Sequence, residues 1–143
     1  MRVAEPDITL DPGAEENGLA GMVAELLRAN VASSPAKAGV FSRMKGSVGL
    51  TATDAEVSLT LVFARGRCAV YDGVRPEAEA GVTADSDSIL ELSNVRIVGG
   101  LPWLLDAKGR AVVAKVLRGA IRIRGLLRHP VTLTRLAVVL SVN

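Results

Sequence analysis

The sequence predicts an α+β domain in which a mainly antiparallel sheet of about five strands is covered by helices. Three observations predict it. Apolar residues first recur at helical spacing in Leu19, Met22, Val23, Leu26 and Leu27. From Val48 the spacing falls to two, as half-buried strands require. After Thr83 helical spacing returns, interrupted by one short alternation at Ile121 and Ile123. The length of 143 residues fits a single domain. Residues 1–16 read as an acidic tail or irregular lead-in, and residues 17–143 as the domain proper.

Taken in order, Asn17 is placed to cap the first helix, and Ser33-Ser34-Pro35 ends it, because the residue before a proline avoids the helical region. Val48, Leu50 and Ala52 form one side of a first strand. Val57, Leu59, Leu61 and Phe63 form one side of a second. Arg65-Gly66 is a hairpin turn into a third strand, Cys68 to Tyr71. Asp72-Gly73 and Pro76 make the next turn, and Ala78 to Thr83 a fourth strand. Tight connections make at least the first three antiparallel neighbours. Asp85-Ser86-Asp87-Ser88 opens a helix, with Ser88 and Glu91 fitting a capping box; this acidic cluster reads as a cap rather than a metal site. The helix ends near Asn94. Gly99-Gly100-Leu101-Pro102 is a break, and Trp103-Leu104-Leu105 leads to a helix with Val112, Val113, Val116 and Leu117 that Gly119 stops. Ala120 to Gly125 is a short strand. His129-Pro130 starts the last helix, with proline at a favoured first-turn position.

That helix carries two apolar stripes. Leu133, Leu136, Ala137 and Leu140 lie on one side, and Val131, Val138 and Val142 on nearly the opposite side. A helix resting on a sheet needs only one stripe. The second faces a cavity, a partner chain or another element of the domain.

Composition narrows the function. Apolar residues make up 49% but aromatic residues only 3%, so the walls are aliphatic. No run of residues is long and apolar enough to span a membrane, and the acidic N-terminus is no signal peptide. The single cysteine, Cys68, excludes an internal disulfide, fits a reducing cytoplasm and reads as buried filler. One His and one Cys leave no zinc site of the usual kind. No G-x-S-x-G or P-loop is present, and Gly46-Ser47-Val48-Gly49 lacks the spacing and lysine that cradle phosphate. The chain therefore reads as a non-enzyme without a cofactor. Charge is uneven: residues 107–143 hold eight bases and no acid, while residues 1–25 hold six acids against Arg2. A solvated basic face is the plain reading, and an anionic membrane surface is the partner that basic residues among aliphatic ones suit. Nucleic acid is disfavoured by the scarcity of aromatics and of any recognition motif.

Cys68-Ala69-Val70-Tyr71-Asp72-Gly73, then Pro76 to Asp85, then Asp87-Ser88-Ile89-Leu90-Glu91-Leu92, and finally Leu117 to Gly125 occur in an order that resembles the sterol carrier protein-2 family over residues 19 to 143. The closing segment Leu133 to Val142 looks like that family's last helix. The sequence departs from the family in its acidic lead-in, in Leu126-Leu127-Arg128 after Gly125, and in a C-terminus that is no peroxisomal address. The resemblance implies an apolar tunnel for a lipid-like small molecule such as a sterol, fatty acyl chain or isoprenoid, with no cofactor and no chemistry. Candidate pocket residues are Leu61, Phe63, Val82, Leu90, Trp103, Leu104, Val113, Leu117, Ile121, Ile123, Val131, Val138 and Val142. The alternative is an accessory protein-interaction domain of the same fold, acting beside a partner enzyme or as a homodimer.

Overall fold

The computed structural model of the chain describes residues 7–93, 97–98, 101–102, 106–125 and 127–141. Strand β1 (Asp7–Leu10) leads through a 3-10 turn (Pro12–Ala14) into helices α1 (Gly18–Ser33) and α2 (Pro35–Arg43). Strands β2 (Lys45–Ala52), β3 (Val57–Ala64), β4 (Arg67–Asp72) and β5 (Ala80–Ala84) follow. Next come helix α3 (Ser86–Ser93), the two-residue strands β6 (Ile97–Val98) and β7 (Leu101–Pro102), and helix α4 (Ala107–Leu117). Strand β8 (Arg122–Arg124) and helix α5 (Pro130–Leu140) complete the order.

The main sheet runs β1-β4-β3-β2-β5-β8. β2–β3, β3–β4 and β5–β8 pair antiparallel, as the tight turns among the first three predicted strands require. β1–β4 and β2–β5 pair parallel. The expectation of a mainly antiparallel sheet of about five strands is thereby corrected: the sheet is mixed and has six. The sixth strand comes from the expected irregular lead-in, where Ile8 buries beside Cys68 while Asp7 stays outside. Four alternating residues are too few to stand out from an acidic, proline-flanked segment. The parallel pairing of β5 has a different cause. Residues 73–79 are not a tight turn but a strap that carries the chain across the back of β3 and β2. Three strand spacings amount to ~14 Å, and seven residues reach ~23 Å, so the strap fits without a helix.

The strap is fastened from below. Thr60 Oγ1 donates to Gly73 O (2.7 Å) and accepts from the Arg75 N–H (2.9 Å). Ser47 Oγ donates to Glu77 O (3.1 Å) and accepts from the Glu79 N–H (3.2 Å). Arg124 closes its end by donating to Ala78 O at 3.1 Å. These pairings let two buried hydroxyls lie under backbone without an unsatisfied group.

Helix starts follow from short polar residues. Asn17 Oδ1 accepts from the Ala20 N–H (3.1 Å), the expected cap. Ser34 ends α1 and caps α2 at once, accepting from the Lys37 N–H at 3.3 Å. Pro35, read from sequence as a stop, is also a start, since its missing N–H costs nothing in a first turn. The expected Ser88 capping box does not form. Asp85 accepts from the Ser88 N–H at 2.8 Å, and the buried Ser88 hydroxyl and Glu91 both receive the Lys115 ammonium, at 3.0 and 2.8 Å.

Candidate functional site

The candidate site follows from which sheet face is covered. Register places Val48, Leu50, Leu59, Leu61, Phe63, Cys68, Val70 and Val82 on one face. Helix α1 packs on the β1, β4 and β3 part of it, and α5 on β2, with α2 against both helices. These residues form one core with Val23 and Leu27 of α1, Phe41 of α2 and Leu136 and Val139 of α5.

Most candidate residues can now be placed. Leu61, Phe63, Val82 and Ile121 are buried in this core, and Phe63 meets Phe41 edge-on with ring centroids 6.1 Å apart. Val113 and Ile123 are half-buried. Leu90 lies in α3. Trp103, Leu104 and Val142 lie outside the described residues. Leu117, expected in an apolar pocket, stands instead at the surface with 82% exposure. Helix α4 turns Gly109, Val112 and Val116 inward, and Leu117 is one residue, ~100°, past that stripe.

The two stripes of α5 have different surroundings. Leu133, Leu136 and Val139 are buried against the core. Exposed Val131 and buried Val138 line a solvent-open groove of about 380 Å³ between α2 and α5, together with Val40, Arg43, Pro130, Thr134 and Arg135. Three valines and a proline make its walls apolar. Two guanidinium groups make it cationic, and among the described residues neither forms an ion pair. Sequence reasoning did not reach Val40 and Arg43, because it ended the first helix at Pro35 without starting another, and it counted Arg135 only among the bases of the C-terminal third. The signal available was Ser34-Pro35 itself, a cap followed by a first-turn proline.

The groove walls are tied at the α5 end. Arg135 Nη1 donates to Arg43 O (3.1 Å), and Asn30 Nδ2 donates to Val139 O (2.9 Å). The buried Lys37 ammonium donates to Ser141 O. Desolvation lowers the Lys37 pKa. A cation at a helix C-terminus nevertheless meets the negative end of the helix dipole.

Several groups capable of chemistry are buried or already have a neighbour of opposite or hydrogen-bonding character. Cys68 is buried, and burial pushes its thiol up to about 12, too high to supply a thiolate nucleophile near neutrality. His129 opens α5, with Nδ1 3.6 Å from Glu79 Oε2. Hydrogen bonds from Ser88 hold the Asp85 carboxyl below its ordinary range, and those from Ser86 do the same for Asp54. Among the described residues no group of three His, Cys, Asp or Glu side chains gathers to hold a metal, and no helix is long and apolar enough to cross a membrane.

No family model matches the chain, and no curated protein matches it. Solved structures do. One, described as a UbiJ-SCP2 ubiquinone synthesis protein, is 18% identical with a TM-score of 0.59, covering 85% of this chain and 90% of its own. Another, sterol carrier protein 2, is 15% identical with a TM-score of 0.52, covering 83% of this chain and 91% of its own. The chain thus has the SCP2-like fold that its sequence resemblance implied.

Proposed function

Starting from an SCP2-like fold, we propose that this chain binds an apolar, lipid-like molecule (a sterol, fatty acyl chain or isoprenoid) and performs no chemistry on it. The observation that carries the reading is the α2–α5 groove. Its volume of about 380 Å³ falls within the ~300–1,000 Å³ of ordinary ligand sites. Its lining joins aliphatic walls to two guanidinium groups that form no ion pair among the described residues, which suits an apolar body with an anionic head. The likeness to sterol carrier protein 2 supports the same reading. Leu61, Phe63, Val82 and Ile121 are the apolar wall that a ligand tail passing beneath α5 would meet.

The experiment is native mass spectrometry of the purified chain, with organic extraction and titration of a fluorescent fatty acid. One lipid adduct per monomer, displaced by the fatty acid, is the expected result. A bare monomer that takes up no fatty acid would overturn the reading. A bare dimer would make the groove an interface. The second reading, an accessory interaction domain beside an enzyme, is favoured by the filled sheet face. Leu59, Leu61 and Val70 are packed against the helices with no exposure at all. Stable co-purification with an enzyme that survives removal of all lipid would select it.

A further inference from the structure

The sheet order has an electrostatic result. β1 and β8 are its two edges, about 24 Å apart at ~4.8 Å per strand. The acidic N-terminal segment supplies β1 and the start of α1, where Glu15 and Glu16 are exposed and Asp11 is half-exposed. Asp7 and Glu25 lie on the same side but are offset by Arg67 (3.2 Å) and Arg28 (2.6 Å). The acid-free, basic C-terminal segment supplies β8 and both its flanks. The segments that form the two edges thus carry opposite charge, although the net charge is only +2 and the Glu79 carboxylate lies 3.6 Å from His129 beyond the end of β8.

The positive edge also displays the two most exposed large apolar side chains described. Leu117 is 82% exposed just before β8, and Leu127 is 97% exposed just after it. Single exposed leucines are ordinary. Here each is followed by an exposed arginine: Leu117-Arg118 closes α4 with three residues between it and β8, and Leu127-Arg128 follows β8 after two residues. Gly119 and Gly125, with φ of 79° and 83°, turn the chain at either end of β8. Exposed Arg122 lies between the two pairs. Arg118, Arg122 and Arg128 form no ion pair among the described residues, whereas Arg124 is held on the strap and Lys115 on Glu91.

We propose that this β8 edge is a docking surface for an anionic lipid bilayer. Leu117 and Leu127 enter the headgroup boundary, and Arg118, Arg122 and Arg128 engage lipid phosphates. A bilayer offers what both residue types need together: apolar depth for leucine and planar anionic oxygens for guanidinium. The molecule's charge polarity turns this edge, and not the β1 edge, toward a negative surface. Nucleic acid would use the arginines but leave the leucines unpartnered.

The test is flotation with vesicles of phosphatidylcholine alone and of phosphatidylcholine with about one-third phosphatidylglycerol. The wild-type chain is expected to float with the anionic vesicles only. Its binding should weaken about tenfold or more as salt shortens the Debye length to ~3 Å. Leu117→Ser/Leu127→Ser and Arg118→Gln/Arg122→Gln/Arg128→Gln should each weaken binding about tenfold or more while keeping the wild-type melting temperature, since these side chains are exposed. Arg65→Gln/Arg67→Gln, at the β3–β4 turn and at least three strand spacings from β8, should bind as wild type. Equal binding to both vesicle types, an equal loss in the remote variant, or salt-sensitive binding to a DNA oligonucleotide without vesicle binding would overturn the proposal. Fatty-acid uptake measured in vesicle-free solution reports on the ligand separately, so either reading can fail alone.

Discussion

Asn17 ties three parts of the chain together with one amide. Its oxygen caps α1, and its nitrogen donates to Ser58 O and to Asp72 Oδ1, both at 2.8 Å. From sequence only the cap was legible, because a spacing of two or three residues announces itself, whereas contacts 41 and 55 residues away do not. Asn17→Ala is expected to cost about 1–2 kcal/mol by denaturant melting, from a lost cap plus two lost hydrogen bonds to the half-buried Ser58 carbonyl and the exposed Asp72 carboxylate. Asn17→Asp keeps the cap acceptor but sets a carboxylate against Asp72, so its loss should shrink at acid pH. Cys68 gives a pH signature of its own. Burial raises its thiol from 9.0 to about 12, so the folded state holds the proton more tightly than the unfolded one. That stabilisation is complete below pH ~9 and is lost as pH climbs toward ~12, with a span of about 4 kcal/mol at most. Cys68→Ala should flatten the alkaline fall of stability relative to wild type; identical slopes would show that the thiol is not differentially buried.

At the scale of elements, the β2, β3 and β4 strands and the α1 face could be read directly, since each has an unbroken period and a local stop signal. The 73–79 strap could not. Its seven residues carry turn formers, and nothing in a turn signal says whether the next strand returns beside its predecessor or crosses over. The clue lies in what β2 omits: Gly49 faces the strap, and a Cβ there would come within 2.9 Å of Val74 Cγ1. Alanine in a strand is normally better than glycine by about 0.5–1 kcal/mol. Here Gly49→Ala should instead destabilise, by about 1–2 kcal/mol, because a β-branched side chain cannot move aside cheaply. Added to a Val74→Ala background it should stabilise. A double-mutant cycle measured by chemical denaturation checks that reversal of sign. The α2–α5 groove was half legible for a related reason. The Val131 and Val138 stripe shows from sequence alone, but its opposite wall belongs to a helix hidden behind Pro35.

For the whole molecule, the two stripes of α5 weigh differently on stability and on binding. Leu136 is buried against the core, so Leu136→Ala should cost about 2–4 kcal/mol and lower the melting temperature strongly. Val138 lines the groove but is itself buried, so Val138→Ala should cost about 1–2 kcal/mol, less than Leu136→Ala because a smaller side chain is removed, and should also alter fatty-acid affinity. Thermal melts of both variants with and without a fluorescent fatty acid make the comparison. The overall architecture was legible through the resemblance, but strand order was not, because pairing across the sheet is a long-range outcome. That order also dictates a sequence of events. β2, β3 and β4 close through hairpins of short reach, whereas β1 must find β4 across 60 residues of register offset, Asp7 against Arg67, and β5 can settle beside β2 only after the strap has something to lie on. Assembly therefore begins at the central meander and spreads to the two edges. Amide hydrogen exchange should record the same hierarchy in reverse, with β8 and β1 opening at low cost while the β2–β3 ladder exchanges only when the whole chain unfolds.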